Sequence, residues 1–195
     1  MIRLANSKDY KSIHEIYKPF VESTAISFEF SMPSLSEYSK RIDEIQVDYP
    51  WLVLDINGQV AGYAYASKHR KRAAYQWAAE VSVYVDKTYY RKHAATALYH
   101  ALSSILEMMG VRMLLAGITL PNEASVRFHE SMGFEPIGIY KNIGFKFGKW
   151  HSVGWWQKEI GNINEVPQTI AMFSQIQSSP EVLSALESGF KIFNK

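Results

Sequence analysis

The segment that most constrains the fold lies at the centre of the chain. Residues 77–85 (WAAEVSVYV) form an apolar run of strand length. Residues 91–109 carry Ala94, Leu98, Ala101, Leu102, Ile105 and Met109 at helical spacing, and Gly110 follows as a natural helix stop. Residues 112–120 (RMLLAGITL) are a second buried strand. A strand, a crossover helix and a strand imply two parallel neighbours in one sheet. This is the chain's only such unit, and all other strand connections are short enough to be antiparallel. The sequence therefore predicts an α+β protein: one mixed, mostly antiparallel sheet with helices on both faces.

The remaining elements follow from local signals. IRLAN opens the chain as a strand, and a helix runs from about Ser7 to Phe20 with Ile13, Ile16, Tyr17 and Phe20 on one face. Ser34 and Glu37 have capping-box spacing and predict a helix that stops before Tyr49-Pro50. WLVLD and VAGYAYAS flank Asn57-Gly58, a hairpin signal, with a loop of two residues or more. In PNEASVRFHESMGF a short helix is capped by Asn122 and ended by Gly133, and strands near 136–142 and 150–159 close the sheet as a hairpin. The order predicted is β-α-α-β-β-β-α-β-α-β-β over a domain of residues 1–160. Residues 161–195 change character and read as a part-helical extension, with Ser179 as a cap and Pro180 in the first turn.

Composition narrows the chemistry. The 195 residues include no cysteine, which excludes disulfides, Cys-ligated metals and an enzyme thiol. A net charge of +2 gives no general argument for nucleic acid. No run of apolar residues approaches the roughly 20 needed to cross a bilayer, and residues 1–11 lack a secretory apolar core. A cytoplasmic protein with no membrane partner and no metal is the expectation.

Three stretches invite chemistry. Arg91, Lys92, His93, Ala94, Ala95 and Thr96 put two cations and then small side chains at a helix start. First-turn amides carry partial positive charge and bind phosphate when the backbone can be approached. A solvated basic start on a tightly packed helix explains the same residues. Glu80 interrupts an apolar strand, where a carboxylate is costly unless it faces a cleft or a partner. It is either a functional base or an edge residue in water. KHRKR at 68–72, beside Tyr75 and Trp77, is either a solvated loop or a site for an anionic group.

Five blocks, YPWLVLDINGQVAGYAYA, AAYQWAAEVSVYV, RKHAATALY, GITLPNEASVRFHESMGF and IGFKFGKWHSVGWW, stand in an order that resembles the GCN5-related N-acetyltransferases (GNAT), specifically the phosphinothricin and methionine sulfoximine branch. The resemblance covers residues 1 to about 159. It implies acetyl transfer from acetyl-CoA to a small amino-acid-like amine by direct attack in a ternary complex. It places the catalytic base at Glu80 and a thiolate-side proton donor at His129. It assigns the acetyl-CoA arm to the backbone of Val83, Tyr84 and Val85, its pyrophosphate to residues 91–96, and a further contact to Asn122. For the substrate it suggests Arg72 for a carboxylate, Phe28, Tyr75 and Trp77 for an aromatic wall, and Lys146 and His151 for the polar end. A homodimer is the family habit. In the cradle the family resembles Q/R-x-x-G-x-G/A, whereas here Tyr90 and His93 replace the first residue and the first glycine. A histidine suits that place if its backbone is right-handed, because no positive φ is then required. Two rival readings stand: the same fold acting on a protein or aminoglycoside amine, and a non-catalytic acyl-CoA-binding module.

Overall fold

The computed structural model describes residues 1–194; Lys195, the last residue of the predicted extension, lies outside them. The chain order is β1 (Ile2–Leu4), α1 (Tyr10–Glu22), α2 (Leu35–Asp48), β2 (Trp51–Ile56), β3 (Gln59–Lys68), β4 (Ala78–Val85), α3 (Ala94–Met108), β5 (Met113–Leu120), α4 (Glu123–Ser131), β6 (Glu135–Lys146), β7 (Lys149–Glu159), α5 (Phe173–Ile176) and α6 (Pro180–Phe193). Seven strands form one sheet in the order β1-β2-β3-β4-β5-β7-β6. Only β4 and β5 are parallel; every other pair is antiparallel.

Local chemistry explains most of these boundaries. Ser34 accepts the Glu37 amide, and the Glu37 carboxylate accepts the Ser34 amide, so both bonds of the capping box start α2. The β2–β3 loop is Asn57-Gly58 alone, with φ of 53° and 83°, the left-handed pair that a tight hairpin turn requires. The closing hairpin is longer than predicted, because β6 continues through an irregularity between Tyr140 and Gly144 to Lys146.

The sheet separates two cores. On one face α1 and α2 bury Ile13, Ile16, Tyr17, Tyr38 and Ile42 against Trp51, Val53 and Tyr63. On the other, α3 and α6 bury Leu98, Leu102, Ile105, Val182 and Leu186 against Leu52, Leu54, Ala79, Val81 and Leu114. Alternation along β4 follows: Ala79 and Val81 face α3, while Tyr84 packs among the α1–α2 aromatics. Glu80 lies on the α1–α2 side.

The extension is part of the same body. Ser179 caps α6 by accepting the Val182 amide, and Pro180 sits in its first turn. Phe173 is buried in the α3 core, which Phe190 and Phe193 also join. Gly189 lets α6 approach α3 closely: a Cβ there would stand 2.8 Å from both the Ala101 Cβ and the Ala97 carbonyl oxygen. Among the described residues no helix is long and apolar enough to cross a membrane. Gly189→Leu overpacks the α3–α6 contact, at a cost of about 2–3 kcal/mol. Thermal unfolding is expected to show a Tm lowered by about 5–10 °C. An unchanged Tm would mean that α6 is not seated on α3.

Candidate active site

The site begins where the parallel pair comes apart. β4 and β5 are in register at only three positions, Ala78↔Met113, Ala79↔Leu114 and Glu80↔Leu115. Beyond them β4 stays paired with β3 as far as Gly62↔Val85, and β5 stays paired with β7 as far as Leu120↔Ser152. Residues 81–85 and 116–120 therefore border a wedge, with backbone groups that lack a strand partner across it. Such groups demand partners from water or a ligand. Val83, Tyr84 and Val85, expected to hold the acyl-CoA arm, lie along one wall, and Glu80 stands at the apex.

The chain leaving β4 turns through Lys87–Tyr89 and reaches α3 within a few residues. Arg91 and His93 both have left-handed backbones, with φ of 59° and 58°. This corrects the right-handed geometry that made a histidine acceptable at position 93. The family's glycine is the residue such a φ favours, and here a histidine bears the strain. His93 is the N-cap of α3 but its side chain accepts no first-turn amide, and that turn holds no acidic residue. The amides of Ala95 and Thr96 thus stay uncapped by side chains at the positive end of a 15-residue helix. Ala94 is buried, and Lys92 lies over the Tyr89 ring at 5.4 Å. Left-handed turns next to a helix start make an anion-binding concavity, and the cationic side chains of Arg91 and Lys92 stand beside it.

Asn122 caps α4 by accepting the Ser125 amide at 3.2 Å. It also lines two cavities at the far end of β5. One, of about 790 Å³, is bounded by Pro121, Val126, Arg127, Ile139 and Ser152. The other, of about 570 Å³, is bounded by Thr24, Ile26, Thr119, Phe147 and His151.

Four of the expected side chains have settled partners within their own part of the fold. Glu80 accepts a hydrogen bond from His69 Nδ1 at 2.8 Å and remains 37% exposed. His129 is buried at 5% exposure. Its Nδ1 donates to the Ser125 carbonyl at 2.8 Å and its Nε2 accepts from the Tyr99 hydroxyl at 3.1 Å, the tautomer assigned from these partners. Burial lowers its pKa from the ordinary 6.5, so the ring is held neutral with no free N–H. Phe28 packs on Gly144, where a Cβ would come within 2.1 Å of the ring, and is 6.2 Å from His151. His151 donates from Nε2 to the Lys146 carbonyl. Tyr75 is exposed and, with Arg70, Lys71 and Arg72, lines a basic recess of about 290 Å³.

Two substrate assignments are corrected. Lys146 does not reach a ligand: it is 3% exposed, and its ammonium donates to the carbonyls of Val21, Thr24 and Ser27 at 2.6, 2.9 and 2.7 Å. All three donors are consumed, and burial lowers its pKa. It ties the α1–α2 loop to the closing hairpin. Trp77 shares its parity with Ala79 and Val81, the side of β4 opposite Glu80, and its indole N–H donates to the Gln168 carbonyl at 2.8 Å. It anchors the extension instead of walling the substrate.

Sequence reasoning missed two residues. His69, inside KHRKR, contacts Glu80. Trp155 faces His69 edge-on at 6.0 Å, with its indole N–H buried and unpaired. The clue to Trp155 was Gly117, which leaves the space its ring fills across the β5–β7 pair, where a Cβ would lie 3.3 Å from the ring.

The profile of the acetyltransferase (GNAT) domain matches residues 2–155. The chain belongs to the GNAT acetyltransferase family. It is 34% identical over 175 residues to a phosphinothricin N-acetyltransferase of Streptomyces viridochromogenes, covering 90% of this chain and 95% of that one. It is 31% identical over 160 residues to an L-methionine sulfoximine/L-methionine sulfone acetyltransferase of Salmonella typhimurium, covering 82% and 94%. The crystal structure of a phosphinothricin acetyltransferase from Sinorhizobium meliloti in complex with AcCoA superposes with a TM-score of 0.82 at 34% identity, covering 86% and 92%. This GNAT protein is an N-acetyltransferase, and the fold expected from sequence is the one observed.

A non-glycine residue in the left-handed region costs about 1–2 kcal/mol. His93→Gly relieves that strain and is expected to leave Tm unchanged or raised by a few degrees, with the acetyl-CoA Kd within about threefold by calorimetry. His93→Val, β-branched at a positive φ, is expected to lower Tm. Collapse of binding in His93→Gly would show that the imidazole itself holds the ligand.

Proposed function

We propose that this chain transfers the acetyl group of acetyl-CoA to the amine of a small amino-acid-like substrate, of the phosphinothricin, methionine sulfoximine or methionine sulfone type. The observation that carries the reading is the position of Glu80, half-open at the apex of the wedge between β4 and β5. The names of the relatives and their coverage of nearly the whole chain support the substrate class.

Without a cysteine, direct attack of amine on thioester within a ternary complex is the route. The ammonium first gives a proton to the Glu80 carboxylate. The nitrogen lone pair then forms the C–N bond, the C–S bond breaks, and the sulfur leaves as thiolate, which takes the proton the N-acylated adduct sheds to give the amide and the free thiol. Backbone amides beside residues 83–85 and the first turn of α3 supply donors for the carbonyl and the phosphates. His129 is assigned a supporting role. Its one N–H is spent on Ser125, and a second proton would charge a buried ring. It braces α4 against Tyr99 of α3, two elements that flank the wedge.

Arg72 in the basic recess is the proposed contact for an α-carboxylate, beside Tyr75. A homodimer is proposed with the outer strand as its contact. Ile137, Ile139, Tyr140, Ile143 and Phe145 of β6 are each about half exposed, an unusual concentration of apolar side chains on a sheet edge. The cytoplasm, where acetyl-CoA is supplied, is the proposed site of action.

An acetyl-CoA consumption assay over paired amines tests the reading. Amines bearing an α-carboxylate are expected to react at least tenfold better than their decarboxylated partners. Arg72→Ala is expected to erase that preference mainly through KM. Equal rates for both partners with the unaltered enzyme would remove the amino-acid assignment.

A further inference from the structure

His69 lies one residue beyond β3, and the reaction as described gives it no part. Its side chain is 16% exposed, less than half the exposure of the Glu80 it touches. A carboxylate only accepts, so Nδ1 carries the hydrogen and donates to Glu80 Oε1 at 2.8 Å. On the other side of the ring, Nε2 accepts the Nε–H of Arg70 at 3.2 Å. One N–H inward and one lone pair outward define a neutral ring in a single tautomer. A second proton on Nε2 would face the Arg70 N–H head-on. Tyr75 and Trp155 hold the ring edge-on, each with its centroid 6.0 Å away, and Arg70 also lies over Tyr75 at 5.5 Å. The other ionisable group near Glu80 is Tyr65 on β3, in register with Ser82, with the Arg41–Glu29 pair near Tyr65. None of these donates to Glu80, so among the described residues His69 is its single side-chain hydrogen-bond donor.

We propose that His69 is the positioning residue of the base. It fixes Oε1 of Glu80 so that Oε2 is the oxygen turned to the incoming amine. As the substrate ammonium is deprotonated its N–H bond breaks and the Oε2–H bond forms, while His69 keeps its own proton. Arg70 acts one step further out, by fixing the tautomer that makes Nδ1 the donor. The inference rests on Glu80 being the base.

Steady-state kinetics of His69→Phe, His69→Ala and His69→Asn beside Glu80→Gln test it. Phe preserves a ring between Tyr75 and Trp155 but has no donor, and Asn offers an amide N–H near the place of Nδ1–H. Phe and Ala are expected to lower kcat by about 10- to 100-fold, the scale of a misplaced catalytic group, with both KM values within about twofold. Asn is expected to recover most of the loss. A wild-type kcat in His69→Phe would overturn the proposal. If Glu80→Gln also keeps its kcat, the base assignment itself fails; if Glu80→Gln is inactive, only the role of His69 fails. Nitrogen-15 spectra of the unaltered protein give a check that needs no variant. The expected signal is a neutral ring protonated at Nδ1, and a ring protonated at Nε2 alone would overturn the proposal.

Discussion

The early separation of β4 from β5 is the constraint on which the rest of the structure depends. Three parallel register pairs hold the strands together, and after Glu80↔Leu115 they part. A sheet opened in its middle exposes backbone donors and acceptors that a closed sheet would satisfy internally. Its two halves must then be held by something other than each other. The same opening is the proposed ligand site, at a strand end and facing a helix N-terminus, the kind of crevice open sheets offer at a topological switch point.

The bracing is visible on every side of the wedge. β5 stays upright through eight register pairs with β7. β4 is held through seven with β3. α3 lies against one side of both strands, and α6, from the extension, lies against α3 in turn through the close approach at Gly189. On the other side, the buried ammonium of Lys146 draws one carbonyl from the last turn of α1 and two from the α1–α2 loop onto the end of β6. A buried Lys is stable only when its donors are all used, and here the cost of burial is offset by holding a loop beside the substrate side of the cleft. The groups proposed to carry the chemistry, Glu80 and the start of α3, thus stand on braced elements that do not have to order themselves around a ligand.

How far the sequence could be read follows the reach of each signal. Capping of α2 by Ser34 and Glu37, the Asn57-Gly58 turn and the Asn122 cap of α4 depend on residues within a few positions of one another, and all three were legible. The isolated Glu80 was legible because a charge breaks an apolar strand pattern. Side chains whose partners lie far along the chain were not. Lys146 reads as a surface cation until the carbonyls of Val21, Thr24 and Ser27, more than a hundred residues earlier, surround it. Trp77 reads as an aromatic wall until Gln168 claims its indole. His69 hides among four other basic residues, and only the β3–β4 register, with Ser67 opposite Glu80, brings it to the carboxylate. His93 was expected to have a right-handed backbone, but its left-handed one is set by the tight turn from β4 into α3, which no pattern of side chains announces.

Amide hydrogen exchange across β4 tests the central claim most directly, because it reads the wedge and not the turnover. With acetyl-CoA bound, the account predicts slowed exchange in residues 81–85 and in the first turn of α3, with little change in β2, whose amides already have strand partners. Exchange that is unaltered along 81–85 when acetyl-CoA is saturating would contradict the claim that the parting of β4 and β5 is where the donor lies.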